Sequence, residues 1–177
     1  KMPIVYGCTN SSSVNFNSLA TVDDGSCVIL GTKHHNITGE SSTAKVTITD
    51  YTELNAGDKV NLIATDGNNY DFAQGDQSSV NGTFEATTSN DVTATGLMNC
   101  INTSSGPSGT RFNATVNGAV VTISQNVAGH AGNTTVTLTD SGTAGMSLTS
   151  SFTGGVDAEL TRELLAVGSN TNITSIS

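Results

Sequence analysis

Residues 112–125 read FNATVNGAVVTISQ, and this run settles what kind of chain it is. Phe112, Ala114 and Val116 alternate with polar residues, Asn117-Gly118 interrupts, and Val120, Val121 and Ile123 resume the apolar pattern. Alternation with period two makes one face apolar and one polar, as in a half-buried strand, and an Asn-Gly pair between two such runs marks a tight hairpin. Upstream, KVNLIATDGNNYDF at 59–72 repeats the plan: Val60 and Leu62 share a face, Asp66-Gly67 predicts a type I′ turn, and Tyr70 and Phe72 lie on the return.

Further strands are expected from Ala44, where Val46 and Ile48 alternate with Thr47 and Thr49, at 135–139 through Val136 and Leu138, and more weakly at 146–152. Between the hairpins the period changes. Ala94, Leu97, Met98 and Ile101 fall at i, i+3, i+4 and i+7, and Ser89-Asn90-Asp91 offers capping oxygens, so a short helix is predicted near 91–102. Gly96 weakens it by about 1 kcal/mol relative to Ala, so packing on the sheet must support it. From Asp157 a second, shorter helix is expected, with Leu160 and Leu164 four apart and Glu159 near its start.

These elements predict a mainly β fold: an antiparallel sheet or β-sandwich with one short packed helix over 44–155, plus a small disulfide-bracketed N-terminal module. The remaining boundaries are 1–31 for the polar mini-module, 32–43 for a linker carrying His34 and His35, and 156–177 for a C-terminal tail. Edge strands such as 44–49, and Leu160 and Leu164 in the tail, are the expected assembly contacts, because 5% aromatics and short strands suggest a chain whose burial is completed by neighbours.

Composition narrows the function classes. Six Lys+Arg against 15 Asp+Glu give a net charge of −9, a surface that repels nucleic-acid phosphates. No apolar run is long enough to span a membrane as a helix, and KMPIVYGCTN has no signal-peptide core. Release by cell lysis fits such a chain, a processed secreted protein being the rival. Paired carboxylates in a cleft and aromatic platforms for sugar are not evident, with no Trp and 3 Tyr, so the chain reads as non-enzymatic.

Cys8 and Cys27 bracket a polar loop with almost no core of its own, and their pairing would contribute about 3 kcal/mol by limiting the unfolded chain. The alternative is two thiols in a reducing compartment. Asn15, Asn17, Asp23 and Asp24, with Gly25 in the turn, form a candidate Ca²⁺ ligand set, yet the same residues are ordinary turn formers; no other cofactor is expected. Cys100, on the predicted helix, reads as a small buried hydrophobe and not as a nucleophile. His34, His35 and His130 are too scattered to suggest a zinc site or a general base, and no phosphate-binding glycine loop is present. Gly82, Gly118, Gly129, Gly132, Gly154 and Gly155 read as turn residues.

The stretch YGCTN…NFN…ATVDDGSC resembles a short Cys-bracketed repeat, GCTD…NYNP.A..DDGSC, of marine bacterial surface proteins and marine tailed-phage structural proteins. Asn10 stands where Asp is usual and Ser18 where Pro is usual. Residues 46–155 are similar to a domain of tailed-phage virion proteins, through Tyr-Asp-Phe at 70–72, the short helix ending in Ile101-Asn102, the Asn-Gly hairpin, AGHAGN at 128–133 and FTGG at 152–155. The resemblance implies a virion structural component, a head decoration or a tail or fibre protein. Its partners would be copies of itself and other virion proteins, a host-surface glycan being a further candidate, and its location the virion or the extracellular space. A secreted bacterial adhesin or filament subunit is the alternative.

Overall fold

The computed structural model describes residues 3–76, 82–168 and 173–175, with the backbone alone at 32–35, 160–168 and 173–175. The chain divides into two compact units, one formed by Lys1–Ile37 with Glu159–Ser177 and the other by Thr38–Ala158. In the first unit, β1 (Tyr6–Gly7) and β2 (Val22–Asp23) pair in parallel, and β3 (Val28–Ile37) follows.

The Thr38–Ala158 unit holds β4 (Thr43–Ile48), β5 (Lys59–Ile63), β6 (Asn69–Gln74), β7 (Thr83–Phe84), α1 (Asn90–Asn102), β8 (Phe112–Asn117), β9 (Val120–Gln125), β10 (Val136–Thr139) and β11 (Met146–Thr153). They form two four-stranded sheets, ordered β10-β5-β6-β7 and β11-β4-β9-β8, antiparallel except where β7 joins β6. The mainly β, sandwich-like architecture with one helix follows the period-two reading. One placement differs: β4, expected as an edge, lies between β11 and β9, because both of its ladders are taken up.

Both hairpins form, but their turns are not the ones the dipeptides suggest. A type I′ turn needs positive φ at both central residues. In the first hairpin Ala64 N–H donates to Asn68 O at 3.0 Å and Gly67 N–H to Ala64 O at 2.9 Å, and Gly67 alone has positive φ, 81°. Residues 65–67 are therefore a three-residue loop, a type I turn closed by a left-handed glycine. In the second, Asn117 pairs with Val120, so the turn is Gly118-Ala119 with Gly118 at φ 57°, the II′ pattern with glycine first. Asn117 stays in the ladder.

α1 starts as the capping residues predict: Ser89 accepts from Val92 N–H at 3.2 Å. It buries Thr93, Ala94, Leu97, Cys100 and Ile101. Two asparagine amides tie its ends to strands. At the first residue, Asn90 Nδ2 donates to Thr49 O at 2.9 Å and Asn90 Oδ1 accepts from Tyr51 N–H at 2.8 Å. At the last residue, Asn102 does the same to Ala114.

One core joins both sheets and the helix, built from Val46, Ile48, Val60, Leu62, Leu97, Ile101, Val121 and Ile123 with four phenylalanines. Phe112 is the hub: it stacks on Phe152 with ring centroids 5.8 Å apart and meets Tyr70 and Phe72 edge-on at 6.1 and 6.5 Å. Four of the five Phe are spent here, so this unit carries a full core despite the low aromatic share.

The ends of the chain correct two expectations. β12 (Glu159–Gly168) runs antiparallel to β3, from Glu159 opposite Ile37 to Gly168 opposite Val28, and β13 (Ile173–Ser175) pairs with β12 at 165–167. The predicted linker is thus strand over its first half, and the second helix expected from Asp157 is strand. Leu160 and Leu164 explain the error, because a spacing of four keeps two residues on one face in a strand as well as in a helix.

Candidate functional site

The N-terminal module is a loop closed by the Cys8–Cys27 disulfide, as expected, with Cys8 only 1% exposed. Its polar residues fold the loop upon itself. Asn15 Oδ1 accepts from Val28 N–H at 2.8 Å while its Nδ2 donates to Ser26 O at 2.6 Å, which joins the middle of the loop to its exit. Asn17 Oδ1 accepts from Leu19 N–H, Asp23 Oδ1 from Gly25 N–H and Asp24 Oδ1 from Ser26 N–H, each the two-residue reach of an Asx turn. Thr9 donates its hydroxyl proton to Asp23 Oδ2 at 2.9 Å.

The backbone N–H of Gly25 and then the Thr9 hydroxyl hold the Asp23 carboxyl below the usual carboxylate range. The Ser26 side chain and backbone do the same for Asp24. Of the four residues proposed as Ca²⁺ ligands, Asn17, Asp23 and Asp24 are thus employed in turns, and Asn15 in tying the loop to its exit. Among the described residues no group of three or more His, Cys, Asp or Glu converges.

Outside the polar loop the module is unusual in what it exposes. Ile4, Tyr6, Val14 and Leu19 are all more than 60% exposed. Single apolar residues at a surface are ordinary, but so many on a module of this size leave it with almost no interior beyond its disulfide.

A second cluster forms where the Thr38–Ala158 unit begins and ends. Glu40 N–H donates to Val156 O at 2.8 Å and Val156 N–H to Glu40 O at 3.0 Å. Here the AGHAGN and FTGG segments meet. Asn133 Nδ2 donates to Gly155 O at 3.0 Å and Asn133 Oδ1 accepts from Gly155 N–H at 2.8 Å, while Asp157 Oδ1 accepts from His130 N–H at 2.7 Å. Gly155 lies so close to the Gly129 carbonyl, Asn133 and Ser42 that a Cβ has no room. Gly132 and Gly155, read as turn residues, are thus close-packing positions with ordinary φ. The arrangement clamps two backbone segments, and His130 sets its ring against Asn133, with Nδ1 3.2 Å from Nδ2.

Asp58, which the sequence reading passed over, is the most deeply buried carboxylate among the described residues, at 2% exposure. Its Oδ2 accepts from Asn55 N–H at 2.7 Å and its Oδ1 from Ser141 N–H and Oγ at 2.9 and 2.7 Å. Burial pushes its pKa up, but these hydrogen bonds outweigh burial and keep it below the usual value. Nothing local in the sequence marks it, since Ser141 is distant along the chain.

Cys100 is free and buried, and burial pushes its thiol up to about 12, the opposite of what a nucleophile requires. His34 and His35 lie in β3 with backbone alone described, and Leu160 and Leu164 likewise in β12, so their side chains fall outside the described residues. Compared with protein-family models, curated proteins and solved structures, the chain matches none.

Proposed function

We propose that this chain is a structural component of an extracellular particle, a head-decoration or tail or fibre protein of a tailed-phage virion, acting by self-assembly and surface display and not by catalysis. The observation that carries this reading is the way the Thr38–Ala158 unit is connected. Its entry and exit are clipped together by the Glu40–Val156 pair, and the next paired residues outward, Ile37 and Glu159, are register partners of β3 and β12. A domain entered and left at one point behaves as an insertion, and its remaining surface is unencumbered by chain connections.

The resemblance of the two sequence segments to virion proteins supports the phage assignment. The disulfide suits an oxidising setting outside the cell, which a secreted adhesin or filament subunit shares. Partners in this reading are copies of the chain and other virion proteins, with a host glycan as a candidate receptor. The test is immuno-electron microscopy of intact purified particles with antibody raised against the Thr38–Ala158 unit. Labelling at regular positions on heads or tails is expected; labelling confined to bacterial surface material would replace the virion reading with the adhesin one. Breakdown of host polysaccharide by the pure protein would overturn the non-catalytic part.

A further inference from the structure

We propose that the outer edge of β3 is an assembly edge that pairs with residues 159–164 of β12 in a second copy of the chain. This rests on the reading of the protein as self-assembling, and it deepens that reading by naming the contact.

β3 is the terminal strand of its sheet, whose order is β13-β12-β3. Its inner side is matched along its whole length by β12. On its outer side Val28 O accepts from Val14 N–H at 3.0 Å, and among the described residues no strand pairs beyond that point. A strand edge is a row of unmet N–H and C=O groups, and proteins that stay monomeric blunt such edges with short strands, bulges, proline or covering groups.

The sandwich unit uses these devices. The Asn102 amide occupies the backbone of Ala114 on the outer strand β8, β11 breaks register twice, and β7 is only two residues long. β3 uses fewer of them. Residues 28–37, VILGTKHHNI, contain neither proline nor acid, and Ile29 and Leu30 are 47% and 46% exposed.

Register and charge together point to the occupant. Lys33 is the one Lys or Arg of β3 in a chain of net charge −9, and within the chain its register partner is Glu163. Residues 159–164 of β12 carry Glu159, Arg162 and Glu163, a net charge of −1 against the single Lys of β3, and among the described residues β13 pairs with β12 only at 165–167. A second copy therefore offers β3 the strand that it already fits. Six residues paired antiparallel make about six backbone hydrogen bonds, within the roughly five to fifteen of an ordinary protein interface. The contact is head-to-tail, so it propagates into a ring or an open array instead of an isologous dimer.

Sedimentation velocity of the full chain over a concentration series tests this, with Thr32→Pro and Asn36→Pro as edge-blocking variants, because Val28 bonds outward and alternate residues of β3 turn their N–H to the same edge, and with Lys33→Glu as a charge variant. Wild type is expected to form species larger than monomer. Each variant should shift half-assembly to at least about tenfold higher concentration, with the Cys8–Cys27 linkage and the unfolding midpoint of the sandwich unit retained. Monomeric wild type, or variants that assemble like wild type, overturns the proposal. Assembly through this edge by a protein absent from particles would refute the virion reading and leave the edge standing; particles that incorporate the edge variants normally would do the reverse.

Discussion

Asn102, the last residue of the helix, holds Ala114 by both arms of its amide: Nδ2 donates to the Ala114 carbonyl at 2.9 Å and Oδ1 accepts from its N–H at 2.7 Å. A side-chain amide has the same donor and acceptor pair as a peptide, so Asn102 stands in for a neighbouring strand at the exposed side of β8. Ala114 is buried, and losing the amide leaves two backbone groups unmet. Asn102→Ala should cost about 2–4 kcal/mol in urea unfolding. Asn102→Asp, which keeps the acceptor and loses the donor, should cost less than Asn102→Ala near neutral pH.

Phe112→Ala should be among the most damaging core substitutions, at about 3–5 kcal/mol, because the ring contacts Tyr70, Phe72 and Phe152 and joins both sheets. Thermal unfolding reads the effect. Phe16→Ala, in the exposed part of the N-terminal module, should change stability by less than 1 kcal/mol or so.

Asp58 makes the stability of the sandwich unit pH-dependent. Its folded pKa lies below the unfolded value of about 3.9, so its contribution is present in full above that pH and is lost as pH falls through the folded value. Wild type should lose stability steeply on acidification below about pH 4, and Asp58→Asn should be less stable at neutral pH with a flatter profile there. Equal slopes in the two proteins would remove Asp58 from this role.

Reduction should act on the two units unequally. Breaking Cys8–Cys27 removes the closure of the N-terminal loop, worth about 3 kcal/mol, while the sandwich core contains no disulfide. Amide exchange should therefore accelerate over the 3–28 region after reduction and stay slow in β4, β5 and β9. Cys100 should resist thiol reagents in the native state and react on unfolding.

Calcium should leave the melting of the N-terminal module unchanged. Asn15, Asn17, Asp23 and Asp24 already accept hydrogen bonds from their own loop, and a cation would have to displace them. A rise in the midpoint with Ca²⁺ and not with Mg²⁺ would show that the loop rearranges to bind.

Alternation through Val46 and Ile48, the Asn-Gly and Asp-Gly interruptions, Ser89 ahead of the stripe from Ala94 to Ile101, and the Cys bracket all act over a few residues, and each is visible without the fold. Periodicity and capping are local, so the strands, the helix and the closed N-terminal loop were readable from residue order. The turn types were less so, because Asn117 and Asp66 permit positive φ without requiring it, and the ladder register chose Gly118-Ala119 and the three-residue loop instead. The clamps of Asn90, Asn102, Asn133 and Asp58 were invisible, since an asparagine or aspartate announces a hydrogen bond but not its distant partner. The clearest case is 159–168. Two leucines four apart satisfy either period, and a short isolated helix gains little in water, whereas β3 supplies a complete ladder of backbone partners from the other end of the chain. Local spacing left that segment undecided, and long-range backbone pairing made it a strand.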